Sequence, residues 1–224
     1  MRNFILLVVC LVCLKGYAQT KELKDISLDA LITETQFSSD TPDAIEMIWW
    51  LPRSFWKVSF AQDPNASEAD IQAIEDLLGD NELFAVINGK IGYFGGITYT
   101  PLNEILDEIR FFYKDEQLVI EETESISPDL TNFLSMMKPM MAKMLGPMGE
   151  NLHFIVVKNN RTSNVLPIDA NEAGILKVEM NEFSREVDLP LGSLLMEKKC
   201  PEDDKLLSGK WTYCPFHGKK LVSQ

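Results

Sequence analysis

The sequence predicts an α+β fold built around an antiparallel sheet, and three observations carry that prediction. Segments of strand character come in pairs joined by short turn signals. Capped helical stretches stand between those pairs instead of alternating with single strands. The chain then closes on two similar turns that form a small hairpin of their own. We expect about seven strands, in a sheet that curls into a half-barrel or packs as a sandwich, with several helices and the C-terminal hairpin appended.

Composition supports a packed domain. Apolar residues make up 46% of the 224-residue chain and charged residues 25%, which is enough for a core and too apolar for a disordered chain. The first stretch is set apart from that domain. Arg2 gives a short positive region, Phe4 to Leu14 is apolar, and Gly16-Tyr17-Ala18 places small residues before Gln19. This pattern predicts a signal peptide over residues 1–18, an exported domain over 19–195 and a tail over 196–224. The apolar run is too short to span a bilayer and ends at Lys15. Cys10 and Cys13 each follow Val, not the small residue of a lipoprotein signal. The expected location is therefore periplasmic or extracellular, with no transmembrane segment in the mature chain. A net charge of −13 repels nucleic acid and anionic lipid, so the expected partner is a neutral or cationic ligand or protein.

The elements follow in order. Leu23, Ile26, Leu31 and Ile32 have helical spacing, with Asp25 or Ser27 as a cap. Thr41-Pro42 reads as a second helix start. The stretch AIEMIWWLPRSFWKVSF then reads as two short helices separated by Pro52, with one of Trp49 and Trp50 partly exposed. Ser67 caps a clearer helix, with Asp70 three residues on, Ile71, Ile74, Leu77 and Leu78 on one face, and Gly79 as its stop. LFAVINGKIGYFGGITYT reads as a hairpin turning at Asn88-Gly89. IRFFYKDEQLVIEE turns at Lys114-Asp115-Glu116. Ser127-Pro128-Asp129 opens a helix reaching about Leu145, kinked at Pro139. LHFIVVKN returns to strand. ILKVEMNEFSREVDLP is a last hairpin turning near Asn181-Glu182, and PLGSLLMEKK leads to the tail.

The tail carries the sharpest chemistry. Cys200-Pro201-Glu202-Asp203 and Cys214-Pro215-Phe216-His217 each place a second metal-binding residue three positions after Cys. Brought together by a short hairpin, Cys200, Asp203, Cys214 and His217 supply the four ligands of a tetrahedral zinc site. TYCPFHGKKL resembles the Cys-Pro-x-Cys-Gly turn of zinc-ribbon and rubredoxin-like knuckles, with Pro215 and Gly218 in place. CPEDDKLLSG keeps Cys200 and Pro201 but has Asp203 where that family has Cys and Asp204 where it has Gly. The resemblance covers the tail alone and implies a zinc-ribbon-like hairpin there. A carboxylate is harder than a thiolate, so this set binds zinc less tightly than four thiolates or leaves one position to water. The alternative is a disulfide, since Cys200 and Cys214 are the only cysteines of the exported chain and export favours oxidation.

The helical stretch SPDLTNFLSMMKPMMAKMLGPMGE carries Met136, Met137, Met140, Met141, Met144 and Met148. Met136, Met140 and Met144 lie near one face, with His153 on the following strand, and thioethers suit Cu(I), whereas the ordinary reading of the whole set is adaptable core filler or the lining of an apolar groove. Trp49, Trp50 and Trp56, with Met137, Met141 and Met144, are candidates to line a ligand groove. GKIGYFGG is neither a dinucleotide nor a phosphate-binding loop, and no Gly-x-Ser-x-Gly elbow occurs. Asn65-Ala66-Ser67 and Asn160-Arg161-Thr162 fit the glycosylation pattern. The expected role is a non-enzymatic ligand- or protein-binding domain with a structural zinc site. A zinc enzyme with an open site in the tail and copper handling through the Met-rich helix are its alternatives.

Overall fold

The computed structural model describes residues 19–158 and 168–223. The predicted leader and the glycosylation pattern at Asn160-Arg161-Thr162 lie outside the described residues. In chain order, α1 (Leu28–Thr35) leads into β1 (Gln36–Ser38) and β2 (Ala44–Leu51), then α2 (Arg53–Gln62) and α3 (Glu68–Leu78). Next come β3 (Glu82–Ile91), β4 (Ile97–Tyr99), α4 (Leu102–Glu108), β5 (Ile109–Tyr113), β6 (Glu116–Gln117) and β7 (Val119–Ile120). They are followed by α5 (Pro128–Leu145), α6 (Pro147–Glu150), β8 (His153–Lys158), β9 (Gly174–Met180) and β10 (Phe183–Leu189). The tail holds β11 (Lys198–Lys199), β12 (Leu206–Leu207) and β13 (Val222–Ser223). None of the described helices is long and apolar enough to cross a membrane.

The expected α+β class holds, and among the described residues all strand pairs are antiparallel. One sheet runs β1-β2-β3-β8-β7, with β4 also on β3; a second runs β10-β9-β5-β6; the tail forms a third, β12-β11-β13. The two large sheets face each other across a core containing Ile48, Trp50, Phe84, Val86, Phe111, Leu176 and Val178. Phe84 and Phe111 meet there, one from each sheet, with ring centroids 4.1 Å apart. The opposite face of the larger sheet, with Met47, Trp49, Leu83 and Ala85, packs against Trp56 of α2, Ile74 and Leu78 of α3, and Leu130 and Met141 of α5. The layers are therefore helices, sheet, sheet. The chain crosses between the large sheets from β6 to β7 at buried Leu118, and the sheets do not close into a barrel.

Local signals place several elements as expected. Ser67 caps α3 in a reciprocal box: its N–H donates to Asp70 Oδ2 at 2.7 Å and its Oγ accepts from the Asp70 N–H at 3.4 Å. Such a cap contributes about 1 kcal/mol. Ser27 and Ser127 cap α1 and α5 through the hydroxyl alone, which accepts the N–H of Ala30 and of Leu130. Lys114 and Asp115 take the left-handed conformation between β5 and β6, and Asn181 does so between β9 and β10.

Elsewhere the structure departs from expectation. Ala44–Leu51 is a strand and not a helix. Thr41 accepts the Ala44 N–H in a tight turn, with Asp43 at φ 57°. Both faces of β2 are covered, so its apolar residues run continuously and show no alternation. Trp49 and Trp50 then point to opposite faces and are both buried. Pro52 stands between β2 and α2 and does not separate two helices. Finally, Asn88-Gly89 lies within β3, and the hairpin turns at Gly92–Gly96, where the Gly92 N–H reaches the Gly96 carbonyl at 2.7 Å. Asn88 is buried and its carbonyl accepts the Thr100 N–H at 2.9 Å.

The segment before the tail is packed. Leu191 and Leu194 belong to the main core, and the Glu34 carboxylate accepts the N–H groups of Gly192 and Ser193 at 3.0 and 2.8 Å. Gln19 and Lys21 hydrogen-bond with Met196 and Leu194, so the start of the described chain is tied to the root of the tail.

Candidate metal centre

The two turns of the tail share one backbone design. The Cys200 N–H donates to the Lys205 carbonyl at 2.9 Å, and the Asp204 N–H donates back to the Cys200 carbonyl at 2.9 Å. Moved along by the offset from Cys200 to Cys214, the same two bonds recur. Cys214 N–H meets the Lys219 carbonyl at 2.8 Å, and Gly218 N–H meets the Cys214 carbonyl at 2.8 Å. The strand pairs follow the same offset: Lys199 faces Leu206, and Tyr213 faces Lys220. So do the buried side chains, since Cys200, Leu207, Cys214 and Leu221 make up the small core of the tail.

This geometry aims amides at both sulfurs. The N–H groups of Glu202 and Asp203 point at Cys200, and those of Phe216 and His217 point at Cys214. Burial pushes the Cys200 thiol above its ordinary value. Burial also pushes on Cys214, but there the two amides, Cys200 and His217 outweigh it and the thiol is lowered. An amide cradle of this kind favours thiolate, the form that binds metal.

The turns bring three ligand atoms together. Those of Cys200, Cys214 and His217 all lie within 4.8 Å of one another. His217 Nδ1 is 3.4 Å from Cys200 Sγ and 3.6 Å from Cys214 Sγ, so Nδ1 is the nitrogen offered to the site. Both thiols are free and buried. Asp203, the expected fourth ligand, is not in this group of three. Its Oδ2 stands 4.0 Å from His217 Nδ1, and its Oδ1 accepts the Lys205 N–H at 3.1 Å. That N–H holds the Asp203 carboxyl below its ordinary value, against the cost of desolvation, with smaller help from Cys200 and His217. Two soft sulfurs and one imidazole can hold a metal ion, with a carboxylate close by.

The groove residues scatter. Trp49, Trp50, Trp56 and Met141 are buried in the core, Met137 packs against it, and Met144 is exposed. Trp50 belongs to the core between the large sheets, and Trp49 and Trp56 to the core beneath the helices. Met136 and Met140 are exposed with Met144 along α5. His153 on β8 bonds to the backbone of Thr100, and burial with the charge of Lys138 lowers its pKa.

Two residues carry more than the sequence suggested. Asp204 stands in the left-handed region at φ 60°, the place that Gly218 fills in the second turn at φ 61°. The available signal was chemical: aspartate is among the few non-glycine residues that tolerate this conformation. Glu82 opens β3 and is only 2% exposed. Burial pushes its carboxyl up to about 8, against the opposing pull of the Trp50 indole N–H, which donates to Oε2 at 3.0 Å, and of the Arg53 charge. Nothing in the local sequence marks it.

Set against protein-family models, curated proteins and solved structures, the chain matches none of them.

Proposed function

We propose that this chain is an exported, non-enzymatic binding domain whose C-terminal hairpin is stapled by a structural zinc ion. The observation that carries the metal reading is the convergence of Cys200, Cys214 and His217 within 4.8 Å, with Nδ1 facing both sulfurs. Two thiolates and an imidazole are a donor set suited to zinc. The repeated turn, with its amide cradle at each Cys, supports the likeness to zinc-ribbon knuckles. The Asp203 carboxylate, 4.0 Å from His217 Nδ1 and held below its ordinary value by the hydrogen bond from Lys205, is a candidate to complete the shell.

Size explains why a staple is needed. Four buried side chains make the whole apolar core of the tail. A core that small does not offset the chain entropy of ordering the segment, and natural mini-domains add a metal or a disulfide for this reason. A structural zinc contributes on the order of 10 kcal/mol in favourable cases.

A zinc enzyme is the second reading, and one observation favours it. Asp203 stands outside the group of three, and an open fourth position is a property of catalytic zinc.

Native mass spectrometry of the mature protein, purified without chelator or reductant, tests the proposal. One zinc ion per chain, released by acid, is the expected result. A mass lower by two hydrogens with no metal would show a Cys200–Cys214 disulfide and remove both zinc readings. The same spectrum reads export, since the mature mass begins at Gln19. Asp203→Ala then separates staple from enzyme: a staple loses affinity for zinc, whereas an enzyme loses turnover with the metal still bound.

A further inference from the structure

The two large sheets are joined on one side and open on the other. On the joined side the chain passes from β6 to β7. On the open side β1 ends one sheet and β10 ends the other. A cleft of about 600 Å³ lies between these two edges, lined by Gln36–Asp40 and Phe183–Asp188, with Leu191 and Lys210 also in its wall.

Among the described residues, both walls present unpaired main chain. The Ser39 N–H bonds to the Glu46 carbonyl at 3.0 Å, so Phe37 and Ser39 face β2. Alternation then turns Gln36 and Ser38 away from β2, toward the cleft. The Gln36 N–H is taken by the Ile32 carbonyl at the end of α1, which leaves the Gln36 carbonyl and both groups of Ser38. On β10, Phe183 pairs with Met180 across a two-residue turn, so Ser184, Glu186 and Asp188 face outward. Asp188 bears this out, because its carbonyl accepts Lys210 Nζ at 2.7 Å. Among the described residues no hydrogen bond crosses the cleft from β1 to β10.

We propose that this seam binds an extended polypeptide segment, which enters as a strand between β1 and β10. The walls dictate that class of ligand. Only a main chain offers alternating N–H and C=O groups to both sides at strand spacing. From Ser184 to Asp188 the edge is about 14 Å long, room for roughly four residues. Leu191 is buried below, and Phe183 and Val187 pack against the core. A segment of alternating character therefore sets its apolar side chains on these three and its polar ones in water. Arg185 and Glu186 are exposed on β10, where charges guard a free edge against pairing with a second copy. The inference gives a partner class to the binding role proposed above and does not depend on the metal.

Amide hydrogen exchange, read by NMR on the protein as purified without chelator, tests it. The probe is a pool of end-blocked hexapeptides that alternate β-branched and polar residues. The control is the same pool with alternate main-chain amides N-methylated. The first pool should slow exchange at Ser38, Ser184 and Glu186 by about tenfold or more, and the control should not. Glu186→Pro removes one outward N–H without touching the bonds to β9, and should abolish the effect; Ser38→Pro tests the opposite wall independently. Unchanged exchange at a saturating pool overturns the inference, as does equal protection by the methylated pool. Protection that rises with protein concentration alone would give the seam to a second copy and also overturn it. Zinc content of the same sample reports on the staple, so failure of one reading is distinct from failure of the other.

Discussion

Asp204 and Gly218 hold the same left-handed backbone conformation, φ 60° and 61°, at equivalent places in the two turns of the tail. Each donates its N–H to the carbonyl of the Cys four residues before it. The place calls for a residue that tolerates positive φ, and an aspartate meets the requirement in one turn as a glycine does in the other.

Substitutions at Asp204 should sort by backbone preference. Asp204→Gly relieves the conformation but loses the exposed ion pair with Lys199 at 2.9 Å, which is worth at most about 1 kcal/mol. Asp204→Val keeps a side chain, and a β-branched one, where it is least tolerated, and should cost about 1–2 kcal/mol. Thermal melts of the metal-loaded protein check this. A valine variant as stable as the glycine one would mean that the turn does not need this conformation.

The candidate metal ligands should rank by their place in the cluster. Cys200→Ser and Cys214→Ser should abolish zinc binding, and His217→Ala should weaken it severely. Asp203→Ala should weaken it by about ten- to a hundredfold, the range seen for supporting groups around a metal. Competition with a chromogenic chelator measures each. Loss of zinc in Asp203→Ala equal to that in Cys200→Ser would make Asp203 a full ligand.

Chelation should unfold the tail and spare the sandwich. The tail core consists of four residues, whereas the main core stands on Phe84, Phe111 and their neighbours. Excess chelator should erase the exchange protection of Cys200, Asp204, Cys214 and Gly218. That of β3 and β9 should stay within about threefold of the metal-loaded value, as expected for a local opening. Collapse of both together would show that the domain depends on the metal. Affinity should also fall with pH, since protons compete for the two thiolates and the imidazole.

Glu82 should make the domain less stable as pH rises. Its folded pKa of about 8 lies above the ordinary value of 4.5, so the native state holds a proton that the unfolded chain has lost. Stability from this group is present below about pH 4.5 and falls progressively up to about pH 8. Glu82→Gln keeps an oxygen for the Trp50 N–H and removes the buried charge. It should flatten the decline between pH 5 and pH 8, gaining most at the upper end. Urea denaturation of both proteins at the two pH values decides it; parallel losses in wild type and variant would rule out Glu82 as the source.

The core pair between the sheets should be costly to cut. Phe84 and Phe111 are fully buried, and Phe111→Ala leaves a cavity at the centre of the sandwich. A loss of about 3–5 kcal/mol is expected from denaturant unfolding. A loss below about 1 kcal/mol would mean that the sheets close over the gap.

Whatever rests on contacts within a few residues was legible in the sequence. The cap of Ser67 on Asp70, the starts at Ser27 and Ser127, the turns at Lys114-Asp115 and Asn181-Glu182, and the rhyme of Cys200 with Cys214 all close hydrogen bonds over short loops. Residue type alone therefore fixes them. The α+β class followed, because hairpins and capped helices are local units. The tertiary structure decided what depends on partners distant in the chain. β2 reads as a helix until sheet and helices cover both its faces, which removes the alternation that marks a strand. Asn88-Gly89 has the residues of a turn, yet the pairing of β3 with β2 and β8 carries the strand straight through it. Burial of Glu82, which pushes its carboxyl up to about 8, is a product of the fold. The sequence offered four metal ligands by spacing. Packing of one turn on the other selected three to converge and left Asp203 beside them, because direction in space is set by the hairpin and not by the count of residues between ligands.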